Sequence, residues 1–355
     1  MKVAIGGSID GTENWDELST YVTEAERMGV DSVWSAEAWG HDGATPLAYL
    51  AAKTSRIKLG SGILQTVGRT PANTAMTAMT LASMSGGRFI LGLGVSGPQV
   101  VEGWHGVPYS RPIQRLREVI DIVRIIAGGE KSAYAGQIFQ LPLPGGEGKP
   151  IRSRAAPQPN IPVYLATLSP NSLELTGEVA DGWIGTSFMP EHADVFFEQI
   201  ERGAKKAGRA LADLDLMAGG AVGFSDDVDK LIARHRPGIA FTLGAMGSKQ
   251  HNFYNNAYRR AGYDEDALAV QRLWLEGDRE GAAKLVPDEM VVQSNLLGTE
   301  AMVRERIQKY RDAGITTLRV QPDGRTLDER LETLGRAVKL VQEVSAETAT
   351  AARRT

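Results

Sequence analysis

One junction recurs along the chain: an amphipathic helical stretch closes at glycine and an apolar run follows at once. Met28-Gly29 precedes the run 30–36, Ser85-Gly86-Gly87 precedes 89–93, Asp181-Gly182 precedes 183–186, and Ala313-Gly314 precedes 315–320. Glycine takes the left-handed conformation that closes a helix, and near-continuous apolar runs suit strands buried on both faces. The reverse junction recurs as a hydroxyl residue and proline, at Thr45-Pro46, Thr70-Pro71 and Ser169-Pro170. There the hydroxyl is expected to cap the first amides of a helix, with proline in its first turn. Helical spacing places Trp15, Leu18, Val22, Ala25 and Met28 on one face, and Leu116, Val119, Ile120, Val123 and Ile126 on another. Leu327, Leu331, Leu334, Val338 and Val341 form a third such stripe, and all three are expected to face a core.

Strands are expected to start near Lys2, Ser32, Ile57 and Arg88 and to cover 162–167, 182–187, 215–222 and 315–321. Eight βα units predict an α/β chain closed into a (β/α)8 TIM barrel with insertions at the C-terminal face. An open doubly wound sheet is the alternative and needs fewer strands. Two stretches break the rhythm. Prolines and glycines across 129–161 bar a long helix and leave room for a hairpin at 134–141, while 237–300 carries helical pieces at 252–261 and 264–275. The reading is one barrel domain over 1–345 with these two excursions, and a frayed tail over 346–355.

Composition narrows the function. With 42% hydrophobic and 23% charged residues the chain is an ordinary globular sequence. A net charge of -4 gives no general attraction to nucleic acid or anionic membrane, and the short basic stretches at 205–209 and 234–236 read as solvated helix faces. Cysteine is absent, which excludes disulfides, thiolate metal sites and cysteine nucleophiles. His41, His105, His192, His235 and His251 include no pair at metal-ligand spacing, so no metal site is expected. The apolar run at the N-terminus is too short for a signal peptide, and the most apolar stretch, near 74–84, is far below spanning length. A cytoplasmic, metal-independent soluble protein is the expectation.

Gly92-Leu93-Gly94-Val95-Ser96-Gly97 matches the spacing of a dinucleotide-binding loop. That fingerprint opens directly into a helix, whereas Pro98, Gly103, Gly106, Pro108 and Pro112 follow here, so the segment reads instead as a functional loop with Gln99, Glu102, Trp104 and His105. Glu37-Ala38-Trp39-Gly40-His41-Asp42 gathers carboxylates, an imidazole and an indole after the second strand, on the face where barrels carry catalysis. Polar strand ends at Ser61, Gln65, Thr167, Ser169, Thr186 and Ser187 favour a site there. Thr167-Leu168-Ser169-Pro170 opens a helix whose first amides suit a phosphate, with simple capping as the alternative.

The segments RFILGLGVSGPQVVEGWHGVPY (88–109), SVWSAEAWGHD (32–42), IKLGSGILQT (57–66) and ELTGEVADGWIGTS (174–187) together resemble the luciferase-like monooxygenase superfamily. GPQVVEGWHG is similar to its deazaflavin (coenzyme F420)-dependent oxidoreductases. The resemblance implies a flavin ring resting on a bulge at Ser61-Gly62-Ile63, with a cis peptide between Gly62 and Ile63. It implies a cofactor lined by Val95, Ser96, Gly97 and Gln99, with its chain phosphate near Ala166, Thr167, Leu168, Ser169, Gly185 and Thr186. It also implies a homodimer through the helices at 45–54 and 71–86. Relatives that oxidise alcohols or sugar phosphates carry an Asp-His pair where this chain has Glu37-Ala38, which favours reduction of a C=C or C=N bond. Hydride transfer from coenzyme F420 is therefore expected, with Glu37 and then His41 as proton-handling candidates. Trp39 and Trp104 would wall the substrate, while Ser61, Gln65 and Glu102 orient ring or substrate. FMN-dependent oxygenation with reduced flavin from a partner, and a non-catalytic flavin carrier, are the alternatives.

Overall fold

The structure, a computed structural model, describes residues 1–7, 14–247 and 252–352; His251 and the last three residues of the tail lie outside them. The strands are β1 (Lys2–Gly6), β2 (Ser32–Ser35), β3 (Lys58–Ser61), a two-residue β4 (Leu64–Gln65) and β5 (Phe89–Gly94). They continue with β6 (Tyr134–Ala135), β7 (Gln140–Leu141), β8 (Val163–Leu165), β9 (Gly182–Ile184), β10 (Asp215–Phe224), β11 (Leu296–Gly298) and β12 (Thr317–Pro322). Eight of them, β1, β2, β3, β5, β8, β9, β10 and β12, pair in parallel in that order, and β12 returns to β1. The barrel closes. The expected (β/α)8 architecture is the observed one.

Fourteen α-helices occur among the described residues. The first seven are α1 (Trp15–Met28), α2 (Thr45–Lys53), α3 (Pro71–Met84), α4 (Pro98–Gly103), α5 (Pro112–Ala127), α6 (Pro170–Val179) and α7 (Asp194–Lys206), with α4 and α5 both following β5. Then come α8 (Val228–Gly244), α9 (Phe253–Arg260), α10 (Asp264–Glu276), α11 (Arg279–Leu285), α12 (Asp288–Ser294), α13 (Glu300–Asp312) and α14 (Leu327–Ala352). The three predicted stripes are buried or half-buried as their spacing requires, and Leu116, Val119 and Ile120 have no exposed surface. Each such aliphatic side chain contributes about 1.5–3 kcal/mol on burial. A separate core under Tyr258, Val270 and Met290 holds α8 to α12 together at one side of the barrel mouth.

Alternation along the strands sends Ala4, Trp34, Ile90, Tyr164, Ile184 and Met217 into the barrel. At its lower end the Asp215 carboxylate collects Lys2 Nζ at 2.8 Å, the Tyr164 hydroxyl at 2.8 Å and the Thr317 hydroxyl at 2.6 Å. The hairpin of β6 and β7 forms where expected. Buried Glu118 of α5 organises its turn, accepting hydrogen bonds from Gln137 N at 2.8 Å, Ile138 N at 3.0 Å and Phe139 N at 2.8 Å.

Several local expectations are corrected. Gly29 and Gly314 close helices at φ 92° and 100°, but α6 ends at Val179 through extended Ala180, and Gly182 belongs to β9. A Cβ on Gly182 would sit 2.5 Å from the Tyr164 ring, so packing inside the barrel, not capping, requires glycine there. Thr70 caps α3 through its hydroxyl as expected. Thr45 lies inside α2, whose first amides, Ala44 N and Thr45 N, go to Asp42 Oδ1 at 2.9 and 2.8 Å. The Ser169 hydroxyl is spent on Ser172 Oγ at 2.8 Å and caps no amide. A helix does follow the glycine loop: α4 starts at Pro98, because proline is well placed in a first turn. The second excursion begins earlier than 237, since α8 runs from Val228 through Pro237. The tail stays helical to Ala352, as its alanine content permits.

Candidate active site

A cavity of about 940 Å³ opens at the C-terminal ends of β2, β3, β5 and β8. Ala36, Glu37, Ala38 and Trp39 enter it after β2, and Gly62, Ile63 and Gln65 after β3. The run 94–97, Gln99, Val100, Gly103 and Trp104 follow β5 and α4, with Tyr109, Pro112 and Ile113 behind them. Ala166, Thr167, Leu168, Ser169 and Ser172 come from β8 and the start of α6. The excursion supplies Ala245, Met246, Gly247, Phe253 and Tyr254. Gln99 ties the two sides together by donating its amide to Gly247 O at 2.5 Å.

Glycine shapes this mouth at two positions. A Cβ at Gly92 would lie 1.8 Å from Ser61 O, so β3 and β5 can approach only without one. A Cβ at Gly94 would meet the Ile63 side chain at 3.0 Å, and Ile63 thus projects into the cavity beside a bare backbone. The peptide between Gly62 and Ile63 is cis. Ser96, at the head of the loop, holds a left-handed φ of 59°. Non-glycine residues in that region concentrate at ligand-contacting segments.

The predicted residues separate. Trp39, Gly62, Ile63, Gln65, Val95, Ser96, Gly97, Gln99, Trp104 and the run 166–169 all line the cavity. Ser61 does not reach it: its hydroxyl donates to Gly92 O at 2.9 Å and accepts from Gly92 N at 2.8 Å, so it staples two strands. Gly185 and Thr186 follow β9, beyond the strands that line the cavity. His41 is exposed and packs edge-on against Trp15 at 5.2 Å, because the polar loop after β2 turns outward beyond Trp39. Glu102 is exposed on α4 and accepts from Tyr109 N at 3.1 Å, outside the lining.

Glu37 lines the cavity, but its carboxylate is engaged. Oε1 accepts from Arg69 Nη1 at 2.8 Å and from Gln65 N at 3.4 Å, and Oε2 accepts from Gly43 N at 3.0 Å. With side chains 11% and 15% exposed, Glu37 and Arg69 form a nearly buried pair that binds the loop after β2 to the loop after β4. That geometry is a clamp. Among the described residues, the other ionisable lining groups are the phenols of Tyr109 and Tyr254, both pushed up by burial and therefore protonated at neutral pH.

Sequence reasoning missed Tyr109, Ile113 and the excursion residues Ala245, Met246, Phe253 and Tyr254. Placing the excursion at the mouth was the available signal. Which of its residues turn inward depends on how α8 and α9 pack on Asn252 and Asn255, whose amides both reach Leu243 O. Gln65 Oε1 is buried and has no partner among the described residues, an acceptor left for a ligand. No metal-like cluster of His, Cys, Asp and Glu occurs among the described residues.

The family model described as luciferase-like monooxygenase matches residues 2–317. A Mycobacterium tuberculosis protein whose name assigns it as a coenzyme F420-dependent oxidoreductase is 38% identical over 326 residues, covering 90% of this chain and 94% of its own. The 5,10-methylenetetrahydromethanopterin reductase of Archaeoglobus fulgidus is 32% identical over 306 residues, covering 84% and 87%. Among solved structures, coenzyme F420-dependent tetrahydromethanopterin reductase from Methanopyrus kandleri superposes with a TM-score of 0.78 at 25% identity, covering 96% of this chain and 99% of that one.

Proposed function

We propose, from the premise that this chain belongs to the luciferase-like monooxygenase family, that it is an oxidoreductase that uses coenzyme F420 to reduce a small organic molecule. The observation that carries the reading is one continuous cavity running from the Gly62-Ile63 bulge to Ser169 at the start of α6. Gly62 and Ile63 would carry the cofactor's ring and the N-terminus of α6 its chain phosphate, where the Ser169 side chain is not spent on the helix amides. Gln65 Oε1 is an unused acceptor for a ring N–H. When bound in its reduced form, the deazaflavin supplies a hydride from the carbon that replaces flavin's reactive nitrogen, and it reacts poorly with oxygen.

The chain's own residues do the rest. Gly62, Ile63, Val95, Ser96 and Gly97 would hold the ring, and the run 166–169 with Gln99 would hold its chain. Trp39 and Trp104, 55% and 64% exposed at the rim, give a substrate two flat apolar walls. Glu37 positions that wall through Arg69 and is not the proton source. Tyr109 and Tyr254 keep their protons next to the reacting space, where a reduced acceptor needs one. His41, Glu102, Ser61, Gly185 and Thr186 take no direct part.

The working form is a cytoplasmic single-domain barrel that pairs as a homodimer through α2 and α3, where Met76 and Met84 are 59% and 55% exposed. No described helix is long and apolar enough to cross a membrane. Fluorescence titration with coenzyme F420 and with FMN tests the cofactor. Ten-fold tighter FMN binding, about 1.4 kcal/mol, would overturn the reading.

A further inference from the structure

Arg319 stands out among the arginines of this protein. Arg88 donates to Ser85 O, Ile57 O, Thr54 Oγ1, Ala51 O and Thr54 O at 2.7–3.1 Å. Arg306 pairs with Glu191 and Gln293 O, and Arg209 reaches Ala180 O at 2.8 Å. The Arg319 guanidinium has no hydrogen-bond or ion-pair partner among the described residues. It lies on β12 in register with Ala4 of β1 and Gly219 of β10, on the strand face that also sends Thr317 into the barrel. It is deep enough for burial to push its guanidinium below the usual value, yet it retains accessible surface.

Its neighbours explain neither its charge nor its place. The groups that interact with it electrostatically are Tyr254 and Tyr310, both phenols pushed up by burial and therefore neutral. Among the described residues, a Cβ on Gly6, at the adjoining end of β1, would meet nothing within 4 Å. Tyr254 lines the cavity already described and also lies beside Arg319, which joins the two regions. An unpaired charge at such depth is unfavourable unless a counter-ion arrives. A guanidinium offers paired N–H groups matched to a carboxylate or phosphate.

We propose that Arg319 anchors an oxyanion of the substrate, so that the molecule reduced at this site is an organic anion bearing a carboxylate or phosphate. The proposal rests on the reductase reading for what happens to that molecule, but the anchoring is measurable without it. The cofactor would occupy the β3, β5 and β8 side of the mouth, and the substrate would bridge from there to Arg319.

The test titrates benzoate, its neutral isostere benzamide, and phenyl phosphate into the protein with and without bound F420. Tryptophan fluorescence reads the cofactor-free form, since Trp39 and Trp104 line the mouth. At least one of the two anions should bind ten-fold or more tightly than benzamide, and the tighter one names the oxyanion. Arg319→Met should abolish that preference and leave F420 affinity within about two-fold, whereas Arg319→Lys should retain part of it. Because Arg319→Met removes an unpaired buried charge, its Tm should rise by about 2 °C or more. A structural arginine predicts a fall. Equal binding of all three probes to the native protein, or a lowered Tm with the anion preference intact, overturns the proposal. Anion preference without F420 binding would sink the cofactor reading and leave Arg319 as the anchor.

Discussion

Replacing Glu37 by glutamine separates a clamp from a proton donor. The amide oxygen of the introduced side chain can still accept from Gly43 N or Gln65 N, so the perturbation falls on the contact with Arg69 at 2.8 Å. Both side chains of the native pair are nearly buried, at 11% and 15% exposure, so solvent screens the pair weakly. A hydrogen bond to a charged group contributes about 1.5–3 kcal/mol. At roughly 2 °C per kcal/mol for a chain of this size, Tm should fall by about 3–6 °C. A double-mutant cycle with Arg69→Met isolates the pair, and the coupling should be about 1–2 kcal/mol, above the roughly 0.3–0.5 kcal/mol scatter of additive sites. In turnover with reduced F420, kcat should drop by about ten-fold or less with an unchanged pH profile. A loss of about 10²–10⁴ in kcat together with a vanished pH limb, at native stability and with no coupling to Arg69, would refute the clamp and make Glu37 the proton donor.

Glu118→Ala leaves three hairpin amides without their acceptor and should cost about 3–5 kcal/mol in chemical denaturation; a loss under about 1 kcal/mol would mean water replaces the carboxylate freely. Gly92→Ala drives a methyl to 1.8 Å from Ser61 O and should prevent soluble expression. Gly97→Ala meets nothing within 4 Å among the described residues, so Tm should stay within about 2 °C while F420 affinity falls roughly ten-fold; unchanged affinity would move the cofactor off this loop. Burial alone would raise the Asp215 carboxyl, but hydrogen bonds from Lys2, Thr316, Thr317 and Tyr164 outweigh it and hold the group below the usual carboxylate range. Its stabilisation is therefore complete above that range and lost as pH falls through the lowered value. Asp215→Asn should flatten the acid limb of a Tm-against-pH curve below about pH 4, and parallel curves would exclude that role.

The barrel was legible in the sequence because its signals are local. Glycine at Gly29 and Gly314 and proline at Pro71 and Pro170 mark element ends by backbone geometry alone, and apolar runs such as 89–93 have one use at that length. The glycines of the strands were misread for the opposite reason. Gly182 resembles a helix stop in sequence and is required by the Tyr164 ring from the neighbouring strand, a contact that exists only once the barrel has closed.

The site divides along the same line. Backbone-dominated positions, Gly62, Ile63, Val95, Gly97 and the run 166–169, were implied by the family resemblance, and strand order agrees with it, since the C-terminal ends of parallel strands must meet at one face. Side-chain roles did not follow. Glu37, His41 and Glu102 read alike as polar loop residues, and only the fold gave Glu37 to Arg69, His41 to Trp15 and Glu102 to the Tyr109 amide. Tyr254 reached the cavity from 160 residues beyond the loop at Gly94, and it came to lie beside Arg319, which the sequence shows only as an arginine between two buried aliphatics. Chain sequence thus determined which strands exist and which of their ends face the mouth, because those follow from torsions and periodicity. Tertiary packing decided which polar groups were consumed as structure and which were left for a ligand, because that depends on distances between segments far apart in the chain.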